Sequence, residues 1–146
     1  MLSVILLNGP AGSGKDTVSD LLKCWRPNMR QEKFANPIRD AIKAFHGWSD
    51  DELEAHKRTD STTRREMIAF SEQLVKPIHG SGYFAEACAQ RVLRGEREGI
   101  SRWTVSDCGF QHELDEFVAQ ISRSGQEIAL LLIRLSRPSG IRAGGP

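Results

Sequence analysis

Apolar residues in this chain fall in short blocks separated by glycine, proline and polar turns. Met1–Leu7 is rich in Val, Ile and Leu and stops at Asn8-Gly9-Pro10. A short unbroken apolar run reads as a strand buried on both faces, the habit of a parallel sheet. Val18, Leu21, Leu22 and Trp25 then step at i, i+3, i+4 and i+7, the stripe of an amphipathic helix that Pro27 closes. Gln31–Ala35 reads as a second short strand. Asn36 as N-cap and Pro37 at the first helical position open the next helix, with Ile38, Ala41, Ile42 and Phe45 inward and Gly47 at its end. Ser49-Asp50-Asp51-Glu52 has the form of a capping box before a short polar helix, and Lys57–Thr63 is polar and expected at the surface.

The second half repeats the alternation. A helix is expected from about Arg64 to Val75, with Met67, Phe70, Leu74 and Val75 inward, broken by Pro77 to Gly82. Phe84–Leu93 is another, and Gly95–Arg102 a charged turn. Trp103–Asp107 reads as a strand carrying a carboxylate at its C-terminal end. Leu114, Phe117, Val118 and Ile121 mark a further helix. Glu127–Leu135 is the most apolar run and the candidate central strand. Trp25, Trp48 and Trp103 are expected in the core or at an interface. Strands alternating with helices imply an α/β fold: an open, doubly wound parallel sheet with helices on both faces and ligands outside the carboxyl ends of its strands.

Composition narrows the function classes. The chain has 146 residues, suited to one compact domain. Twenty Lys and Arg against 19 Asp and Glu leave a formal charge of +1, which argues against a bulk electrostatic binder of polymeric nucleic acid. No apolar run approaches the roughly 18–20 residues of a membrane helix, and Leu2–Leu7 lacks the basic flank of a signal peptide. Three widely spaced cysteines form no disulfide framework and suit a reducing cytoplasm. The four histidines lack metal-ligand spacing.

The chemistry concentrates in Gly9–Thr17, which contains G-x-x-x-x-G-K between a strand and a helix. Glycines let consecutive backbone N–H groups turn toward a phosphate, and the helix N-terminus adds its dipole. Ala11, Gly12, Ser13, Gly14, Lys15, Asp16 and Thr17 are therefore the candidate phosphate-binding residues, with Lys15 supplying a mobile positive charge. Asp16 stands where this motif usually carries Ser or Thr, so the hydroxyl moves one position on, to Thr17. Asp16 suits the positive end of the helix dipole, and a metal-bound water is its alternative partner.

The order Gly9-x-x-Gly12-Ser13-Gly14-Lys15-Asp16-Thr17 after an N-terminal strand resembles the phage-type deoxynucleoside monophosphate kinases. Phe34-Ala35-Asn36-Pro37 is similar to the family's F-A-x-P segment, and Thr63-Arg64-Arg65-Glu66 to its T-P-R-E stretch. Lys76-Pro77 with Gly80 and Tyr83-Phe84, then Ser106-Asp107-Cys108-Gly109-Phe110 with Glu113, resemble further segments, and Arg137-Pro138 resembles the R-P after the next strand. The likeness covers roughly residues 1–138. Beyond it the family continues into a lid, often with D-S-R, whereas Ser139–Pro146 is a short Gly/Pro-rich tail, expected to be a shortened lid.

The resemblance implies a P-loop NTPase-type fold and ATP- and Mg²⁺-dependent phosphorylation of a deoxynucleoside 5′-monophosphate to its diphosphate. It implies Lys15, Asp107 and Arg137 as catalytic residues, Asp107 orienting Mg²⁺ through water and Arg137 closing over the donor. Phe34, Arg39, Arg64 and Arg65 become acceptor-binding candidates, Arg65 by a bidentate phosphate clamp. Direct metal ligation by protein side chains is not expected; Mg²⁺ would be held through phosphates, with water to Asp16 or Asp107. The expected partner is a small-molecule substrate, with no membrane; a homodimer is left open. The expected location is the cytoplasm, that of a host cell if the gene is phage-borne. A P-loop kinase with a different small-molecule acceptor, and a nucleotide-binding module without turnover, are the competing readings.

Overall fold

The computed structural model describes residues 1–10 and 12–136. Ala11, Arg137 and the tail 139–146, each singled out by sequence, lie outside the described residues. Strand β1 (Leu2–Asn8) leads through the glycine loop into α1 (Lys15–Trp25) and then β2 (Met29–Glu32). Helices α2 (Asn36–His46), α3 (Asp50–Thr59) and α4 (Ser61–Ala69) follow. A π-helix (Phe70–Val75) joins α4 to α5 (Lys76–His79), before α6 (Tyr83–Arg97). Strand β3 (Arg102–Val105), α7 (Gln111–Arg123) and β4 (Ile128–Arg134) complete the described order.

The four strands form one sheet in the order β2-β3-β1-β4, every pair parallel. Leu6 pairs with Val105 on one side and Leu132 on the other. The connection from β1 runs outward past β3 to β2, while that from β3 runs past β1 to β4. Right-handed crossovers in opposite directions put their helices on opposite faces. A buried hydrogen bond of 2.6 Å between Ser19 and Thr104 ties α1 to one face. On the other, Leu2, Val4, Leu6, Trp103 and Val105 join Phe84, Cys88, Phe117 and Ile121 from α6 and α7 in the main core. The crevice between the carboxyl ends of β1 and β3 is thus the topological switch point, the general ligand position of such sheets.

Several elements depart from the sequence expectation for identifiable reasons. The second strand ends at Glu32 rather than Ala35, because the Phe34 and Ala35 amides leave the ladder for the Asp107 carboxylate. Asn36 is the first helical residue rather than the cap, and its side-chain amide donates to Glu32. The capping box at Ser49 and Glu52 is present, and Gly47 closes α2 in a left-handed conformation (φ 72°). Thr63, expected at the surface, is a buried residue of α4.

Pro77 does not break the helical path; the chain stays helical from Ser61 to His79. The Lys76 N–H bonds to the Ser71 carbonyl, an i→i+5 step just before the proline. The wider π turn accommodates a ring that would clash with the carbonyl four residues back. It also shifts the buried face, so Ser71 and Val75 turn inward while Leu74 stays exposed. Gly95, expected in a turn, is a buried residue of α6. A Cβ there would lie 2.3 Å from Cζ2 of Trp103, so the indole packs on bare helix backbone.

The largest correction concerns Glu127–Leu135. Among the described residues, β4 is an edge strand, not a central one. Leu130, Leu131 and Leu132 are exposed, Leu131 to 54%. The stripe on α1 is only half covered: Val18 and Leu22 are partly buried, while Leu21 and Trp25 are exposed, the indole to 83%. Asp16, Asp20 and Lys23 share a depression with Gln31 and Lys33 of the β2 segment. Helical geometry therefore turns the apolar side of α1 the other way, toward the β1–β4 side. Of the other tryptophans, Trp103 is core and Trp48 is half-buried, stacked between His46 and His56 at 4.0 and 3.9 Å.

Candidate functional site

Gly9 opens the loop because nothing larger fits: a Cβ would meet Ser13 Oγ at 2.6 Å and the Leu135 carbonyl at 2.8 Å. Gly12 and Gly14 take positive φ values of 73° and 95°. Gly14 caps α1 with no side-chain acceptor, so the first helical amides have no side-chain cap. The Ser13 hydroxyl is buried without a hydrogen-bond partner. An orphaned buried hydroxyl costs roughly 1–3 kcal/mol unless something pairs with it. Lys15 curls back, its Nζ donating to the Gly9 carbonyl at 2.7 Å.

At the neighbouring strand end, Asp107 accepts the Phe34 N–H at 2.7 Å and the Ala35 N–H at 3.0 Å. One carboxylate thereby links the ends of β3 and β2. Loss of hydration raises its pKa, against the pull of those amides and of Lys33 and Lys15. Asn8 at the end of β1 donates its side-chain amide to the Cys108 carbonyl, joining the strands on either side of the switch point.

Between these ends lies a cavity of about 270 Å³, bordered by Lys15, Asp16, Lys33, Arg39, Lys57 and Asp107. Four of these six carry positive charge. Lys33 pairs with Asp16 at 3.0 Å. Arg39, only 8% exposed, pairs with Glu54, and Lys57 reaches the same carboxylate at 3.4 Å. Burial pulls the Lys57 ammonium below the ordinary lysine range; Glu54 opposes this, while the Arg39 and Lys33 charges reinforce it. Partial burial works to raise the Asp16 carboxyl, but Lys33 outweighs it and holds the carboxyl below its ordinary value. Like charges crowded around a polar hollow favour an anion among them.

The structure thus brings Gly12, Lys15, Asp16, Arg39 and Asp107 to one cavity, with Ser13 and Gly14 in the loop behind them. Thr17 is exposed in the first turn of α1. Phe34 is a core residue, 6.0 Å from Phe117, with its backbone on Asp107. Arg64 and Arg65 do not join the cavity. Arg64 bonds to the Lys57 carbonyl, and Arg65 borders a separate depression with Glu72.

Lys33 and Lys57 are site residues that sequence reasoning missed. Lys33 carried a usable signal, since it directly precedes Phe34-Ala35-Asn36-Pro37 at the end of a strand. Lys57 carried none: it sits in the last turn of a polar helix, and only the tertiary fold brings that turn to the cavity.

Among the described residues, no group of three or more His, Cys, Asp or Glu side chains is arranged to hold a metal ion, and no helix is long and apolar enough to cross a membrane. The chain matches no protein-family model and no curated protein.

Proposed function

We propose that this chain transfers a phosphoryl group from ATP to a deoxynucleoside 5′-monophosphate, on a P-loop NTPase-type doubly wound sheet. The observation that carries this reading is the glycine loop itself. It lies at the switch point, with an open helix N-terminus and an unpartnered buried hydroxyl at Ser13. Those groups fit a polyphosphate: backbone amides and a hydroxyl donate, and Lys15 supplies charge. Asp16, Thr17 and Asp107 are oxygen donors of the kind that suit hydrated Mg²⁺. ATP, when bound, supplies the phosphoryl group.

The chain's own residues then position and neutralise. Lys15 moves from the Gly9 carbonyl to a phosphate oxygen. Lys33, Arg39 and Lys57 hold the acceptor phosphate on the far side of the cavity. Asp107 fixes the strand ends so that both sides keep their spacing. Phosphoryl transfer relies on in-line placement and charge neutralisation more than on covalent help from the protein.

A coupled assay for ADP formation with each deoxynucleoside monophosphate tests the proposal. Turnover with at least one, lost in Lys15→Ala, supports it. Turnover only with a non-nucleotide acceptor moves the chain to another kinase class. ATP binding without turnover on any acceptor makes it a binding module.

A further inference from the structure

Among the described residues, no strand pairs with the side of β4 that faces away from β1. The Glu127 carbonyl takes the Leu2 N–H, and the Leu135 N–H donates to the Asn8 carbonyl, so both point toward β1. Successive residues of a strand aim their backbone groups to alternate sides. Residues 129, 131 and 133 therefore serve the ladder with β1. Ile128, Leu130, Leu132 and Arg134 present N–H and C=O to the open side.

Both faces of this strand lack cover as well. Thr104, bonded to Ser19 of α1, pairs with Ile5, and Ile5 pairs with Leu131. Paired residues point to the same face, so Leu131 lies on the α1 face. Leu130 and Leu132, paired with Val4 and Leu6, lie on the α6–α7 face. All three leucines are exposed, as are Leu21 and Trp25 of α1. A helix laid on one face would leave the other bare; another strand with a layer on each side covers both.

Edges meant to face water are ordinarily guarded by a charge, a proline or a bulge. From Ile128 to Ile133 β4 has no charge and no proline, and its register with β1 is unbroken. Residues 137–146 hold one large apolar side chain, Ile141, among two prolines and three glycines. That composition does not match an apolar edge of seven residues open on both faces. A second copy of the chain does match, because an antiparallel pair about a two-fold axis normal to the sheet is self-complementary. With the axis at Leu131, the middle of β4, Leu130 faces Leu132 of the second copy and Ile128 faces its Arg134. These are the residues whose N–H and C=O are open. Leu131 meets its own counterpart in a non-hydrogen-bonded pair, with Cα atoms about 4.5 Å apart.

We propose that this chain forms a homodimer by antiparallel pairing of β4 with β4, joining two four-stranded sheets into one of eight strands with Leu131 on the two-fold axis. The axis keeps each copy's α1 on the same face, so Leu21 and Trp25 of both copies share that face with the Leu131 pair. The inference stands apart from the phosphoryl-transfer reading: the two glycine loops point in opposite directions, and each cavity is formed within one copy.

Sedimentation equilibrium of the 146-residue chain tests this. Between about 1 and 200 µM, the mass should rise from one chain to two. Leu131→Lys and Leu131→Glu each set like charges face to face on the axis and should weaken association at least about a hundredfold. An equimolar mixture of the two variants should recover a dimer holding one chain of each, because opposite charges then meet. Amide hydrogen exchange on the unaltered chain gives a second readout should either variant fold poorly. The Leu130, Leu132 and Arg134 amides should be protected at high concentration and exchange freely on dilution, while the Leu131 amide, bonded to β1, stays protected in both. A monomer throughout, a dimer undiminished in both charged variants, or no recovery on mixing overturns the inference. Protection of the open-side amides that ignores concentration means a segment of the same chain covers the edge, and overturns it too.

Discussion

Lys33 Nζ stands 3.0 Å from the Asp16 carboxylate, joining the end of β2 to the first turn of α1 across the mouth of the cavity. Asp16 occupies the position after Lys15, where a negative charge would repel a polyphosphate. Lys33 offsets that charge. Lys33→Ala should therefore weaken ATP binding about tenfold, and Asp16→Asn should restore most of the loss in the double variant. Titration calorimetry on the four members of the cycle checks this; strict additivity refutes the coupling. The same pair has a small stability effect, under about 1 kcal/mol for so exposed a carboxylate. The native Asp16 pKa lies below its ordinary value of 3.8, so that stabilisation is present above pH 3.8 and lost as pH falls through the native value.

Glu113 should impose the opposite dependence. Its carboxyl is raised from 4.5 to about 7, so the native state holds that proton more tightly than the unfolded chain. The stabilisation is complete below pH 4.5 and is lost as pH rises through about 7. Thermal melts should show Glu113→Gln gaining on wild type between pH 4 and pH 8. An equal difference at both pH values rules this out.

Gly95 under Trp103 makes a packing prediction. A methyl group 2.3 Å from the indole forces a shift. Gly95→Ala should therefore destabilise by about 1–3 kcal/mol despite the better helix propensity of alanine. Urea denaturation measures it. Trp103→Leu should reduce the penalty in the double variant.

The edge position of β4 separates two leucines of similar sequence context. Leu6 on β1 is fully buried, and Leu6→Ala should cost about 2–5 kcal/mol. Leu131 on β4 is half exposed, and Leu131→Lys should cost the monomer under about 1 kcal/mol. Comparable losses in urea denaturation of the monomer would place β4 inside the sheet.

Much of the site was legible because its signals are local. The run Leu2–Asn8, the glycines and Lys15 fix strand, loop and helix within one stretch of chain. Asp107 was read as the last residue of its strand and lies two residues past the end of β3 at Val105, close enough because strand termini follow from the turn residues after them. The partners of Asp107 were not legible: two amides from a segment 72 and 73 positions away have no local pattern. The π turn was hidden because an i→i+5 hydrogen bond has no residue code of its own, and Pro77 pointed instead to a break. The run at Glu127–Leu135 misled because apolarity reports a preference for burial, whereas strand order is set by the whole chain. Arg64 and Arg65 misled by the reverse logic, as charge alone does not say which way a helix face turns.

Lys15, folded back on the Gly9 carbonyl, has a thermodynamic consequence. Its ammonium has already exchanged part of its hydration shell for a backbone oxygen of the loop it serves. An arriving anion replaces that oxygen, so association swaps one acceptor for a stronger one and leaves little further dehydration of the lysine to be done. Arginine lacks that option: its rigid planar fork cannot tuck into so tight a curl, and Lys15→Arg would keep the charge while losing the resting place.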